Sequence, residues 1–229
     1  MQTYLITGAA QGLGKSLTTQ LVQQGHQVIL LDKNLKALNA LYDELDSPLT
    51  SLYPMDLLGA TLNDYETLQD NLQQEFGFLN GVILNAAILP AFTQMDQFDC
   101  QQWYEILQTN LNANVHLIQN TLPLLMNATG GGKLLAILDE SVKKHPAYYG
   151  AYGVSKAGLE QLMITFAAEQ THSDIDAYTA LLEPFATSNR GRLFPGENPM
   201  KLPMPDDIAQ RILAQLLENK VHPSIQVLP

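Results

Sequence analysis

The chain has 229 residues, 46% of them apolar and 15% charged, enough for one α/β domain with a sizeable core and too little charge for a disordered chain. Its formal charge of −11, from 12 Lys and Arg against 23 Asp and Glu, repels nucleic-acid phosphates and anionic membrane surfaces, so neither is expected as a partner. The single cysteine, Cys100, excludes an intrachain disulfide, and no apolar run approaches the roughly 20 residues that cross a bilayer; with no basic segment at its start, the chain reads as cytoplasmic.

Apolar runs of strand length alternate with segments of helical period, the pattern of βαβ units around a parallel sheet. The expected fold is α/β: a three-layer, doubly wound Rossmann arrangement of about seven parallel strands with helices on both faces, in one domain over residues 1–229. Strands are expected at Met1–Thr7, Val28–Asp32, Leu49–Met55, Gly81–Leu84, Lys133–Leu138, Ala177–Leu182 and Ile225–Leu228. Between the first two, Leu13, Leu17 and Leu21 recur every fourth residue before the breaker Gly25, which describes a helix packed on the sheet. Further helices are expected over Asn34–Leu45, Leu62–Phe76, Gln97–Met126, Tyr149–Thr171 and Pro205–Asn219. Phe185–Met204 carries two glycines and three prolines after Phe185, cannot be one regular element, and reads as a substrate loop or lid.

The first βα junction, Thr7-Gly8-Ala9-Ala10-Gln11-Gly12-Leu13-Gly14, has the spacing and context of a dinucleotide-binding loop. Gly8 permits the tight turn, Gly12 admits the pyrophosphate close to backbone amides around Gln11 and Leu13, and Gly14 lets the helix pack near the strand. The helix N-terminus then presents free N–H groups to the anion. Asp32 ends the next strand, eighteen residues after Gly14, where its carboxylate suits the adenosine ribose hydroxyls and repels a 2′-phosphate. The expected cofactor is therefore NAD in preference to NADP, a preference softened by the neighbouring cation Lys33.

Tyr152 and Lys156 stand four apart near the start of an expected helix and so share one face. A cation beside a phenol favours the phenolate, which lets Tyr152 exchange a proton with a substrate oxygen while a nicotinamide exchanges a hydride.

With the glycine loop, this pair makes the whole chain resemble the short-chain dehydrogenase/reductase family in its classical form. Thr7–Gly14 fits the family's Thr-Gly-x-x-x-Gly-x-Gly, and Tyr152 and Lys156 fit its proton-relay pair. The resemblance implies further roles. Asp56-Leu57 would touch adenine. Asn85-Ala86 would belong to a cofactor-binding segment that runs Asn-Asn-Ala-Gly in the family, where this chain has Leu84-Asn85-Ala86-Ala87. Asn110 would be the catalytic asparagine, whose helix bend supports a water chain to the lysine. Pro184 and Thr187 would contact the nicotinamide, although Phe185 replaces the family's glycine between them. The stretch Phe194–Leu202 is similar to a loop of one bacterial subgroup.

One position departs from the family. The catalytic serine lies thirteen residues before the tyrosine, and counting back from Tyr152 gives Asp139, within Leu138-Asp139-Glu140-Ser141. Either Ser141 reaches the pocket through a shorter loop, or Asp139 faces it. In the second case its charge raises the Tyr152 pKa, and it accepts rather than donates a hydrogen bond unless desolvation holds it neutral.

His145 and His172 belong to no ligand set, and no metal is expected. Helices around Asn110–Met126 and Tyr152–Thr171 are apolar on more than one side, as at Leu159, Leu162, Met163 and Phe166; such surface is hidden by a partner. The resemblance points to the same helices for a homodimer, with a homotetramer as the larger assembly. The leading functional expectation is an NAD(H)-dependent oxidoreductase interconverting a secondary alcohol and a ketone. The alternatives are a catalytically impaired protein that binds NAD(P) as a structural or regulatory ligand, and an interaction scaffold without cofactor.

Overall fold

The computed structural model describes residues 1–217 and 226–228. Six parallel strands, β1 (Thr3–Thr7), β2 (Gln27–Asp32), β3 (Thr50–Pro54), β4 (Gly81–Leu84), β5 (Gly132–Asp139) and β6 (Ile175–Leu182), form the sheet, and Gln226–Leu228 (β7) pairs with β6 at its edge. The order is β3-β2-β1-β4-β5-β6-β7. The chain winds outward from β1 to β3, then returns to lay β4 on the other side of β1, so the direction of winding reverses between β1 and β4. In sheets of this kind the crevice at the carboxyl ends of the strands, at that reversal, is where ligands bind.

Both faces are covered, which is why β1 (TYLIT) is buried at every position and reads as a continuous rather than an alternating run. Tyr4 and Ile6 point into the cluster under α1 (Gly12–Gln23), α2 (Leu35–Leu45) and α9 (Pro205–Leu216), whereas Leu5 joins the opposite cluster under α3 (Leu62–Glu75), α5 (Ala113–Met126) and α7 (Gly150–Glu169). The leucine stripe of α1 behaves as its spacing predicts: Leu17 and Leu21 are fully buried, each contributing about 1.5–3 kcal/mol over an exposed side chain. Expected residues 218–219 of the last helix and Ile225 of the last strand lie outside the described residues.

The expected single helix over Gln97–Met126 is divided. It becomes a 3-10 turn at Met95–Gln97, α4 (Cys100–Leu107), a π turn at Gln108–Asn112, and α5. Phe98 is extended and Asp99 caps α4 by accepting from Gln101 N–H, which delays the start. The π turn is centred on Asn110, whose side chain is drawn to the backbone of Ile88 while its carbonyl is taken by the Asn114 amide at 2.8 Å. Helical period shows apolar spacing but not this change of backbone pairing.

Two short helices fall where loops were expected: α6 (Glu140–Lys143), immediately after β5, and α8 (Ser188–Leu193), inside the irregular segment 185–204. That segment is closed at its base by Ala186 N–H donating to Pro203 O at 2.9 Å. Among the described residues no helix is long and apolar enough to cross a membrane.

Candidate active site

The loop between β1 and α1 is built from backbone requirements. Gly8 and Gly12 have φ of +65° and +54°, a region that costs an L side chain about 1–2 kcal/mol. A Cβ on Gly14 would lie 2.0 Å from the Gly8 carbonyl oxygen, so only glycine lets the helix start this close to the turn. Around Gly12 such an atom would meet nothing within 4 Å, which leaves an open approach to the backbone there. The N-cap of α1, Gln11, makes no side-chain cap, and no acidic side chain occupies the first turn. Its first amides thus lack a side-chain partner and suit an anion. These features fit a dinucleotide pyrophosphate.

The end of β4 holds this loop in place. Asn85 Nδ2 donates to the carbonyls of Thr7 and Gly8 at 2.9 and 3.1 Å, and Thr7 Oγ1 accepts from the N–H groups of Asn85 and Ala86 at 3.0 Å each. Asp32, at the tip of β2, accepts from Ala10 N–H at 3.1 Å and Asn34 N–H at 2.9 Å, so its carboxylate is oriented before any ligand arrives. Gly8, Gln11, Asp32, Asp56, Leu57 and Ala86 line one groove with Lys33.

A second groove meets the first at Ala87 and is lined by Leu13, Asn85, Asp139, Tyr152, Lys156, Pro184, Thr187 and Arg190. β5 delivers Asp139 to its carboxyl end, and Asp139 then caps α6, with Oδ1 accepting from Ser141 N–H at 2.8 Å. Tyr152, in the first turn of α7, donates its phenolic proton to Asp139 Oδ2 at 3.0 Å. Lys156, one turn on, donates to the Ile137 carbonyl at 2.8 Å and is buried. Of the two alternatives left open by the sequence, Asp139 is therefore the residue facing Tyr152. Ser141 instead enters the α6 turn, where its N–H is held by Asp139.

This geometry gives the electrostatics expected if Asp139 faces the pocket. Burial first, then the charge of Asp139 and the hydrogen bond to it, hold the Tyr152 pKa well above 10.0. Lys156 was expected to lower it, but burial pushes the Lys156 ammonium down to about 8, against an opposing pull from Asp139. Tyr149 is also raised, by burial and by Asp139, with Ser141 and Arg190 acting in the other direction.

Asn110 is buried and does not reach the groove. Its Oδ1 accepts from Ile88 N–H at 2.7 Å, and its Nδ2 donates to Ile88 O at 2.9 Å and Ser155 Oγ at 3.1 Å. It thereby ties the segment following β4 to α7. Thr187 accepts from Arg190 N–H at 3.1 Å as the N-cap of α8. Tyr149, next to the site, was expected either to line a substrate pocket or to pack; sequence reasoning missed Arg190 and the Phe92 contact. Phe92 stacks on Tyr149 with centroids 4.7 Å apart and meets Phe194 at 5.3 Å, while Arg190 lies over Phe194 at 4.4 Å and pairs with Glu197. A cation three residues after Thr187 was the available signal for Arg190; the contact of Phe92 with Phe194, across a hundred residues of chain, had none.

A doubly wound sheet with a glycine loop at its reversal point and a Tyr-x-x-x-Lys pair across the same crevice defines a Rossmann-type oxidoreductase. Residues 2–198 match the short chain dehydrogenase family model, and the chain belongs to that family. It is 31% identical to the uncharacterized oxidoreductase YciK of Escherichia coli K12 over 212 residues, 89% of this chain and 81% of the relative. Identity to the cyclohexanol dehydrogenase of an Acinetobacter species is 26%, covering 94% and 87% of the two chains. A short chain dehydrogenase of Escherichia coli CFT073 solved with NADPH superposes with a TM-score of 0.89 at 27% identity, over 98% of this chain and 95% of that one.

Proposed function

We propose that the protein is an NAD(H)-preferring oxidoreductase that interconverts a secondary alcohol and a ketone, with Tyr152 and Asp139 as its proton relay. The hydrogen bond between Tyr152 Oη and Asp139 Oδ2 carries this reading. When bound, the nicotinamide supplies the hydride acceptor or donor. In alcohol oxidation the substrate O–H gives its proton to Tyr152 Oη as the phenolic proton passes to Asp139 Oδ2. No free phenolate forms, which suits a tyrosine whose pKa is raised. Lys156 holds the β5 end through Ile137 and supplies positive charge behind the phenol. Asn110 positions α7 through Ser155, and Thr187 and Pro184 border the nicotinamide end of the groove.

The NAD preference rests on Asp32, whose oriented carboxylate would lie against a 2′-phosphate. The NADPH held by the Escherichia coli CFT073 relative and the adjacent Lys33 make both cofactors part of the test. Cyclohexanol, in the name of the Acinetobacter relative, represents the alcohol class. The half-exposed Val154 and Ile164 of α7 support a homodimer through α5 and α7, and the lone free cysteine suits the cytoplasm.

Tyr152→Phe should lower alcohol oxidation by about 10²–10⁴-fold, the worth of a positioned acid or base, while leaving NADH affinity measured by fluorescence within about twofold. Full activity in this variant refutes the relay. A second reading, a catalytically impaired binder of NAD(P), is favoured by the upward shift of Tyr152. It predicts NADH binding without turnover of any alcohol or ketone, and activity gained on Asp139→Ser.

A further inference from the structure

At Tyr152 and Asp139 the groove presents hydrogen-bond acceptors where a carbonyl needs donors. The one proton of the Tyr152 phenol is engaged on Asp139 Oδ2, so its oxygen presents lone pairs to a substrate. Both oxygens of Asp139 already accept, one from Tyr152 and one from Ser141 N–H, and the remaining valence of each is again a lone pair. The two cations bordering the groove each already bond an acceptor, Lys156 giving one N–H to the Ile137 carbonyl and Arg190 pairing with Glu197. Glu183 adds a second carboxylate to the groove.

Against Asp139 a neutral ketone oxygen, which only accepts, is therefore poorly matched. A group carrying N–H and positive charge is well matched: its bond to a carboxylate is charge-assisted and roughly twice as strong as a neutral one.

We infer that this pocket also reduces a protonated carbon–nitrogen double bond, an iminium ion, to an amine, with Asp139 holding the N–H. The inference rests on the hydride-transfer reading above. The iminium carbon takes up a hydride from a reduced nicotinamide, which is thereby oxidised, and the π pair of the C=N bond becomes the nitrogen lone pair. The N–H proton stays on nitrogen throughout. No proton has to come from Tyr152, whereas a ketone must receive one to become an alcohol.

The test compares two cyclic imines, methylpyrroline and dihydroisoquinoline, with the ketones cyclopentanone and tetralone, using NADH and NADPH near neutral pH. For the wild-type protein kcat/KM for the imines should exceed that for the ketones by about tenfold or more, the worth of one charge-assisted bond. Asp139→Asn keeps the shape and removes the charge. It should lose that advantage while its melting temperature and NADH affinity stay near wild type. Independently of turnover, calorimetry in the presence of NAD should show methylpyrrolidine binding more tightly than cyclopentanol to the wild type, with the order lost in Asp139→Asn. Oxidation of cyclohexanol without imine reduction, or imine reduction insensitive to Asp139→Asn, overturns the inference and leaves the alcohol reading standing. Absence of turnover with every alcohol, ketone and imine, despite NADH binding, overturns both.

Discussion

The two halves of the crevice are held by different means. At the β1–α1 junction the shape is set by the backbone: two glycines at positive φ, a third whose Cβ would strike a carbonyl, and an aspartate fixed by two amides. At the β5–α7 junction it is set by side chains from distant segments, with Asp139, Tyr152, Lys156 and Asn110 each held by a partner between 13 and 45 residues away. A backbone-built site depends on residue type at fixed spacing and tolerates little variation. A side-chain-built site keeps its frame while its chemistry changes with one residue, as at Asp139.

This contrast predicts unequal consequences of mutation. Gly14→Ala should do the most damage, because the 2.0 Å approach to the Gly8 carbonyl is to rigid backbone; overpacking of this kind costs about 1–3 kcal/mol or more. A lowered melting temperature that NADH no longer raises is the expected result, and a variant with wild-type NADH response breaks the comparison. Gly12→Ala, strained in φ but free of contacts, should cost about 1–2 kcal/mol.

Next in size, Asp32→Ser should shift the NADP to NAD preference by about tenfold or more, equivalent to about 1.4 kcal/mol, read as the ratio of kcat/KM values. An unchanged ratio removes Asp32 from cofactor selection.

Lys156 makes a smaller, pH-dependent contribution. With a folded pKa of about 8 against an ordinary 10.5, the unfolded chain binds more protons than the folded one between those values. Stability from this group therefore rises as pH increases from about 8 towards 10. Above 10 the raised pKa of Tyr152 acts oppositely, since the unfolded phenol ionises first. Lys156→Met should flatten the rise in melting temperature over that window; an unchanged slope assigns it to other groups.

The smallest effect is expected at Arg190→Gln. Its pair with Glu197 is partly exposed, so stability should change by less than about 1 kcal/mol. Loosening of the Phe194 and Phe92 wall should raise KM by about two- to fivefold with little change in kcat.

Much of the fold was legible because its signals are local. Each of β1–β6 begins and ends within two residues of its expected place, since a strand buried on both faces reads as an apolar run of limited length. The division at Asn110 was not legible, because it depends on a backbone partner at Ile88 that only the fold supplies. The short helix α6 was missed for a related reason: four residues carry no period, and its cap is the side chain of Asp139.

The sequence by itself determined the α/β fold, the glycine loop and the carboxylate at the end of β2, since each follows from residue type at fixed spacing along one stretch of chain. It also narrowed the residue facing the tyrosine to Asp139 or Ser141. Only the tertiary structure decided between them: Asp139 Oδ2 meets Tyr152 while Ser141 enters the α6 turn, and burial with Asp139 beside it raises the tyrosine pKa, as expected for the Asp139 alternative. The decision rests on contacts across β5, α6 and α7, whose geometry no spacing along the chain encodes.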